Sequence, residues 1–266
     1  HVLDRDPPLV AILDVSWPPF PGDGVIAPPP ERPFADEVGS DPGKLRIGLL
    51  DHALTGEIDD ECVIAVRDAA ARLERLGHDV VESHPSAMDR TEGFAEAFLA
   101  SWAVGATASL HSLEPLLGRP LTEDDVEPGT WALAQMGEAF SGADLASAQG
   151  QMHLMRRRMA EWWDEGFDLL LTPTTGAPPP EIGRLVPTED DPLRGLYASI
   201  PYAMFTSPFN TTGQPGISVP THRTADGLPV GVQLVAAYGR EDMLIRVAAQ
   251  MEAELDWSAD RAPIHA

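Results

Sequence analysis

LRIGLL (Leu45–Leu50), followed a little later by DDECVIAVRDAAARLERLGHDVVES (Asp59–Ser83), carries the pattern that decides the fold class. LRIGLL is a short apolar run bounded by Gly43 and Asp51, the signature of a strand. Asp59 or Asp60 can cap a helix in which Cys62, Val66, Ala69, Leu73 and Leu76 recur every three or four residues and so share one buried face. Gly77 stands where such a helix ends, and HDVVES (His78–Ser83) reads as the next strand. Strand, helix, strand is a βαβ unit, and its two strands are expected to run parallel.

Outward from this unit the elements keep alternating. Residues 91–165 read as helical, with Gly105 as a weak point in the first stretch and GRPLTEDDVEP as a break. Thr122 and Asp125 have the spacing of a capping box, with Asp in place of the usual Glu or Gln. Two more helices follow, GTWALAQMGEAF and GADLASAQGQMHLMRRRMAEWWDEG; in the second, Leu145, Met152, Met155, Met159 and Trp163 share a face that reads as core. FDLLLTP (Phe167–Pro173) is a buried strand, and LRGLYASIPYAMF is a short helix, interrupted or ended near Pro201. SPFNTTGQPGISVP (Ser207–Pro220) reads as a turn-rich loop running into the strand GISVP. PVGVQLVAA (Pro229–Ala237) is a further strand, joined to GISVP by a hairpin at Asp226-Gly227. A last helix over residues 240–255 buries Leu244, Val247, Ala248, Met251 and Leu255. The fold class expected is α/β, a mixed sheet flanked by helices.

The N-terminal part differs in composition. Residues 1–44 hold ten of the 26 prolines, which break helix interiors and sheet ladders. Only LVAILDV (Leu9–Val15) is expected to be ordered there, and the division is a proline-rich extended segment over 1–43 and one domain over 44–266. The 266 residues, 43% hydrophobic, suffice for one large core or two small ones. A net charge of −24 argues against tracking a phosphate backbone or an anionic membrane surface. A single cysteine, Cys62, excludes a disulfide framework and fits a reducing compartment. No apolar run approaches the roughly 18 residues of a membrane span, no signal-peptide pattern is found, and a cytoplasmic setting is expected. The start at His1 rather than Met is what a piece of something longer would show.

Residue chemistry by itself gives little. There is no G-x-S-x-G elbow, no S-x-x-K and no glycine-rich phosphate loop. Lys44 is the only lysine, and Ser40 precedes it at the wrong spacing. The histidines form no H-x-x-x-H or H-x-H, so a metal site from His78, His84, His111 or His222 would need tertiary convergence, and none is expected. The two TEDD stretches, at Thr122 and Thr188, lack the calcium-loop pattern and read as a helix start and a solvated loop.

Several linked motifs nevertheless resemble a known family. FDLLLTPTTGAPPP, FTSPFNTTGQPGISVP, DGLPVGVQLVAAYGRED and LIRVAAQME stand in the order found in the C-terminal part of amidase signature enzymes. Upstream, GKLRIGLL and AVRDAAARLERLGHDVVES resemble the βαβ segment that follows the signature region, so the likeness extends from Lys44 to about Trp257. GRPLTEDDVEPGTW and NTTGQPGISVP look most like the 6-aminohexanoate cyclic dimer hydrolases within that family. The resemblance implies metal-free hydrolysis of linear or cyclic amides by a Ser nucleophile, a bridging cis-Ser and a Lys base, through an acyl-enzyme. It implies no cofactor, a small-molecule amide as substrate, and a homodimer as the common assembly.

The family's G-G-S-S-G-G-S loop, both its serines and its catalytic lysine find no match here, so no catalytic residue is assigned and this portion alone is expected to be inactive. Substrate contact is assigned to Phe209, Asn210, Thr211, Thr212 and Gly213, and to Trp102. The competing reading has Asn210 and Thr211 tying down a turn and Trp102 packing in the core. Ala203 stands near the place where the family's glutamyl-tRNA amidotransferase subunits carry an acidic residue, which points to a more apolar amide. The alternative to an amide hydrolase is a non-catalytic binding or regulatory module derived from one.

Overall fold

The computed structural model describes residues 28–89, 93–188 and 190–255; Leu9–Val15 lies outside them. β1 (Arg46–Leu49) and β2 (Asp79–Glu82) pair in parallel, Arg46 opposite Asp79 and Leu49 opposite Glu82. Between them α1 (Asp60–Arg75) starts at Asp59, whose carboxylate accepts the Glu61 N–H at 2.9 Å. Cys62, Ala65, Val66, Ala69 and Leu73 face the sheet, and Gly77 leaves the helix at φ 101°.

Three helices follow: α2 (Phe94–Leu117), α3 (Pro128–Glu138) and α4 (Gly142–Asp164). α2 runs unbroken through Gly105, and the paired Thr122–Asp125 box closes a 3-10 turn over Glu123–Asp125. α2 and α3 approach closely because Gly137 has no side chain; a Cβ there would meet the Thr107 hydroxyl and the Ala103 carbonyl.

β3 (Leu169–Pro173) is buried throughout and pairs in parallel with β1. β4 (Gly216–Arg223) and β5 (Pro229–Ala236) form an antiparallel pair around a turn where Gly227 takes φ 84°. β5 also runs antiparallel to β3, and the sheet order is β2-β1-β3-β5-β4. The sheet is mixed because the βαβ half forces parallel pairing and the hairpin forces antiparallel pairing. Both faces of β3 are covered: Leu169 and Leu171 pack with α1 and the last helix, α8 (Glu241–Leu255), while Leu170 packs with Trp162, Phe205 and Phe209.

The short helix before Phe205 is interrupted near Pro201 into α5 (Arg194–Ala198) and α6 (Ile200–Ala203), since Pro201 has no N–H to continue the ladder. Two expectations are corrected. Ser207–Thr212 is a helix, α7, and not a loop. Pro208 is tolerated in its first turn, the Thr211 and Thr212 hydroxyls donate back to the Ser207 and Pro208 carbonyls, and Gly213 ends it at φ 85°. The Ser, Asn, Thr and Gly that read as loop formers serve here as helix-terminus residues. The following strand is also longer than GISVP, continuing to Arg223 through an irregularity between Pro220 and His222.

The segment before Lys44 is not extended throughout. After Pro33 the chain makes a 3-10 turn, Phe34–Glu37, and buries Glu37 at 1% exposure. Arg32 Nε and Arg246 Nε each donate to Glu37 at 2.6 Å, which ties this turn to α8.

Candidate substrate-binding site

Phe94, Phe98 and Trp102 recur every four residues and therefore stack along one face of α2, with ring centroids 6.0 and 5.9 Å apart. They form one wall of a cavity of about 380 Å³. Tyr197, Ile200, Ala203 and Met204, from α5, α6 and the residue after it, form the facing wall. Leu54, Met88 and Met155 close it from the β1 exit, the β2 exit and α4.

The facing wall is held in place by Gln233, the Gln of the GLPVGVQ motif. Its buried amide donates to Thr172 Oγ1 at 3.2 Å and to the Phe205 carbonyl at 3.1 Å, linking β3, β5 and the chain entering α7. A buried amide with both protons placed is a strong positional constraint.

Among the described residues, the polar side chains lining the cavity are the hydroxyls of Thr55, Tyr197, Ser199 and Ser207 and the indole of Trp102, with no Lys, Arg, His, Asp or Glu. Ser199 already donates to the Leu196 carbonyl at 2.7 Å. A serine without a neighbouring base is a poor nucleophile, so the lining suits holding an apolar molecule rather than attacking one. Cys62 does not supply the deficit. Burial, reinforced by Asp59 and Glu61, pushes its thiol up to about 11, and it packs in the core against α8 and the sheet.

Trp102 is 47% exposed and lines the cavity. Phe209 is buried beside Trp162, Leu170 and Phe205. Asn210 is exposed on α7, Thr211 and Thr212 bond within the helix, and Gly213 caps it. None of these five lines the cavity; their neighbours Ser207 and Pro208 do. Sequence reading missed Phe94 and Phe98, although their four-residue spacing with Trp102 was a visible signal.

His78, His111 and His222 do not converge. His78 Nδ1 accepts from the Leu45 N–H at 3.2 Å, which leaves Nε2–H to donate to Gln250 at 2.8 Å. His111 and His222 pair with Glu138 and Glu61. Among the described residues, one group has metal-ligand chemistry: His52, His84 and Asp89, on the loops that also carry Leu54 and Met88.

Residues 9–245 match the family described as Amidase. The chain belongs to the amidase family. Over 261 residues it is 41% identical to the 6-aminohexanoate-cyclic-dimer hydrolase of Pseudomonas sp. (strain NK87), covering 95% of this chain and 52% of that enzyme. Over 243 residues it is 34% identical to the putative amidase AmiA2 of Mycobacterium bovis, covering 89% of this chain and 47% of the relative. A solved structure of 6-aminohexanoate cyclic dimer hydrolase aligns with a TM-score of 0.87 at 39% identity, covering 96% of this chain and 54% of that one. The chain thus spans about half the length of the curated amidase relatives it matches. The mixed sheet flanked by helices is that of an amidase-family fold, and amide C–N hydrolysis is the chemistry of that family. Among the described residues, no helix is long and apolar enough to cross a membrane.

Proposed function

We propose that this chain belongs to an amide hydrolase acting on linear or cyclic amides with methylene-rich arms, and that it supplies the apolar side of the substrate site. The observation that carries the proposal is the cavity between α2 and α5–α7, with its aromatic wall and, among the described residues, no Lys, Arg, His, Asp or Glu in its lining. A cyclic dimer of 6-aminohexanoate, a ring of two amides joined by methylene chains, has the matching chemistry. Each methylene removed from water is worth about 0.8 kcal/mol. Ala203 on the cavity wall leaves no carboxylate there to select an ammonium group.

In this reading the Ser–Ser–Lys set and the amides that hold the carbonyl come from polypeptide beyond these 266 residues. Trp102 and its aromatic neighbours bind and orient the methylene arm and keep water from it. The five residues from Phe209 to Gly213 position α7 rather than touch the substrate.

The test is hydrolysis of the 6-aminohexanoate cyclic dimer. The expected result is binding without turnover by these residues alone, and turnover when they are produced together with the segment that precedes the matching region in the relatives. Trp102→Ala then raises KM more than it lowers kcat. Turnover by the 266-residue chain alone, abolished by Ser199→Ala or Ser207→Ala, would overturn the assignment of the nucleophile. Binding that never yields turnover in the combined protein would favour a binding module instead.

A further inference from the structure

We infer that His52, His84 and Asp89 form a binding site for a divalent transition-metal ion of the zinc type. The inference begins with strand register. Leu49 at the end of β1 lies opposite Glu82 at the end of β2, and the Ser83 N–H bonds to the Leu49 carbonyl at 3.2 Å. The two exits therefore run side by side, and His52 and His84 are carried out of the sheet together. Their rings meet edge to face with centroids 5.2 Å apart.

Asp89 is brought in by a tight turn. The Met88 N–H bonds to the Pro85 carbonyl, the Asp89 N–H to the Ser86 carbonyl, and Met88 is anchored at 2% exposure. This sets Asp89 Oδ1 at 2.8 Å from His84 Nε2. One donor atom from each of the three side chains lies within 4.8 Å of the others. Ligands at zinc-type bond lengths of about 2.0–2.2 Å sit about 3.3 Å apart around a tetrahedral ion, so small side-chain rotations close the set. His52, 59% exposed at its side chain, has the freedom to make that rotation and leaves an outward position for water.

The donor set selects the ion. Two imidazoles and one carboxylate suit zinc, cobalt, nickel or copper, whereas magnesium and calcium take oxygen ligands. A support is also in place behind the first ligand. Asp51 Oδ1 faces His52 Nδ1 at 3.6 Å, and Asp51 is itself held by Arg67 Nε at 2.8 Å. Once hydrogen-bonded to the Nδ1–H, a carboxylate in that place favours the tautomer that leaves the far nitrogen free to bind. Metal binding replaces the His84–Asp89 hydrogen bond, the His84 proton moving to Nδ1. Because Leu54 and Met88 on the same loops line the apolar cavity, the ion clasps two of its walls.

The test uses the full polypeptide that carries these residues, stripped with a chelator and titrated with Zn²⁺ in competition with a chromogenic indicator, and with Co²⁺ followed by visible absorption. The expected result is one saturable equivalent, a cobalt ligand-field band and a higher Tm with metal. His84→Ala and His52→Gln each abolish the equivalent while far-UV circular dichroism is unchanged, and His153→Ala, on an exposed site elsewhere, retains it. Asp51→Asn weakens it about 10-fold or more. No saturable binding by the unaltered protein, or equal affinity in the His52 and His84 variants, overturns the site. The readout is binding, so it stands or falls separately from amide hydrolysis.

Discussion

Gly48 lies in β1 directly under the Trp162 ring, and a Cβ at that position would run into the ring and the Ser83 carbonyl. Trp162 has little room to retreat. It stacks on Phe167 with centroids 4.1 Å apart, and its Nε1–H donates to Ser83 Oγ at 3.0 Å. Gly48→Ala is therefore expected to cost about 1–3 kcal/mol, the range for overpacking a filled core, read as a lower Tm. Two aromatic residues assigned to the substrate on sequence grounds separate under the same kind of test. Phe209→Ala empties a buried position and should cost about 3–5 kcal/mol of stability. Trp102→Ala removes a half-exposed ring, so stability should change little while binding of an apolar amide weakens. A loss of amide affinity with Phe209→Ala at unchanged stability would reverse these roles.

At the scale of elements, the 3-10 turn at Phe34–Glu37 depends on one carboxylate. Hydrogen bonds from Arg32, opposed by burial and aided by Arg246, lower Glu37 to about 2. Because its folded value lies below the unfolded one, the stabilisation is fully present above about pH 4.5 and is lost as pH falls toward 2. The shift corresponds to on the order of 3 kcal/mol. Glu37→Gln should flatten the acid side of the stability–pH curve measured by denaturant titration, and an unchanged acid limb would show that the clamp contributes nothing. The turn docks on α8, so limited proteolysis between residues 28 and 43 should speed up in the same variant.

For the whole molecule the dominant long-range force is self-repulsion. A net charge of −24 with only 18 basic residues leaves most carboxylates without a partner of opposite sign. Raising salt from about 0.01 to 0.15 M shortens the screening length from about 30 to 8 Å. Tm should therefore rise with sodium chloride and with a shift from pH 8 toward 6, and a Tm that falls with salt would show that attractive ion pairs outweigh the repulsion.

The βαβ unit, the buried β3, the hairpin and the face of α1 were legible because each follows from local periodicity and turn chemistry: Asp59 caps, Gly77 and Gly227 turn, and Leu169–Pro173 is apolar without interruption. The linked motifs from Phe167 onward carried the family for the same reason, as a run of local signals in fixed order. Helix α7 was not legible, because Ser, Asn, Thr and Gly favour a loop and a helix end alike, and only packing of Phe209 into the core settles which. The Glu37 clamp spans 209 residues to Arg246. The cavity joins α2 to α5–α7, and His52 meets His84 only because two strands end in register. Sequence by itself determined what depends on neighbours along the chain: strand, helix, turn and family. Tertiary structure alone decided which side chains face one another, because those pairings follow from sheet order and packing between segments whose separation in sequence carries no local signal.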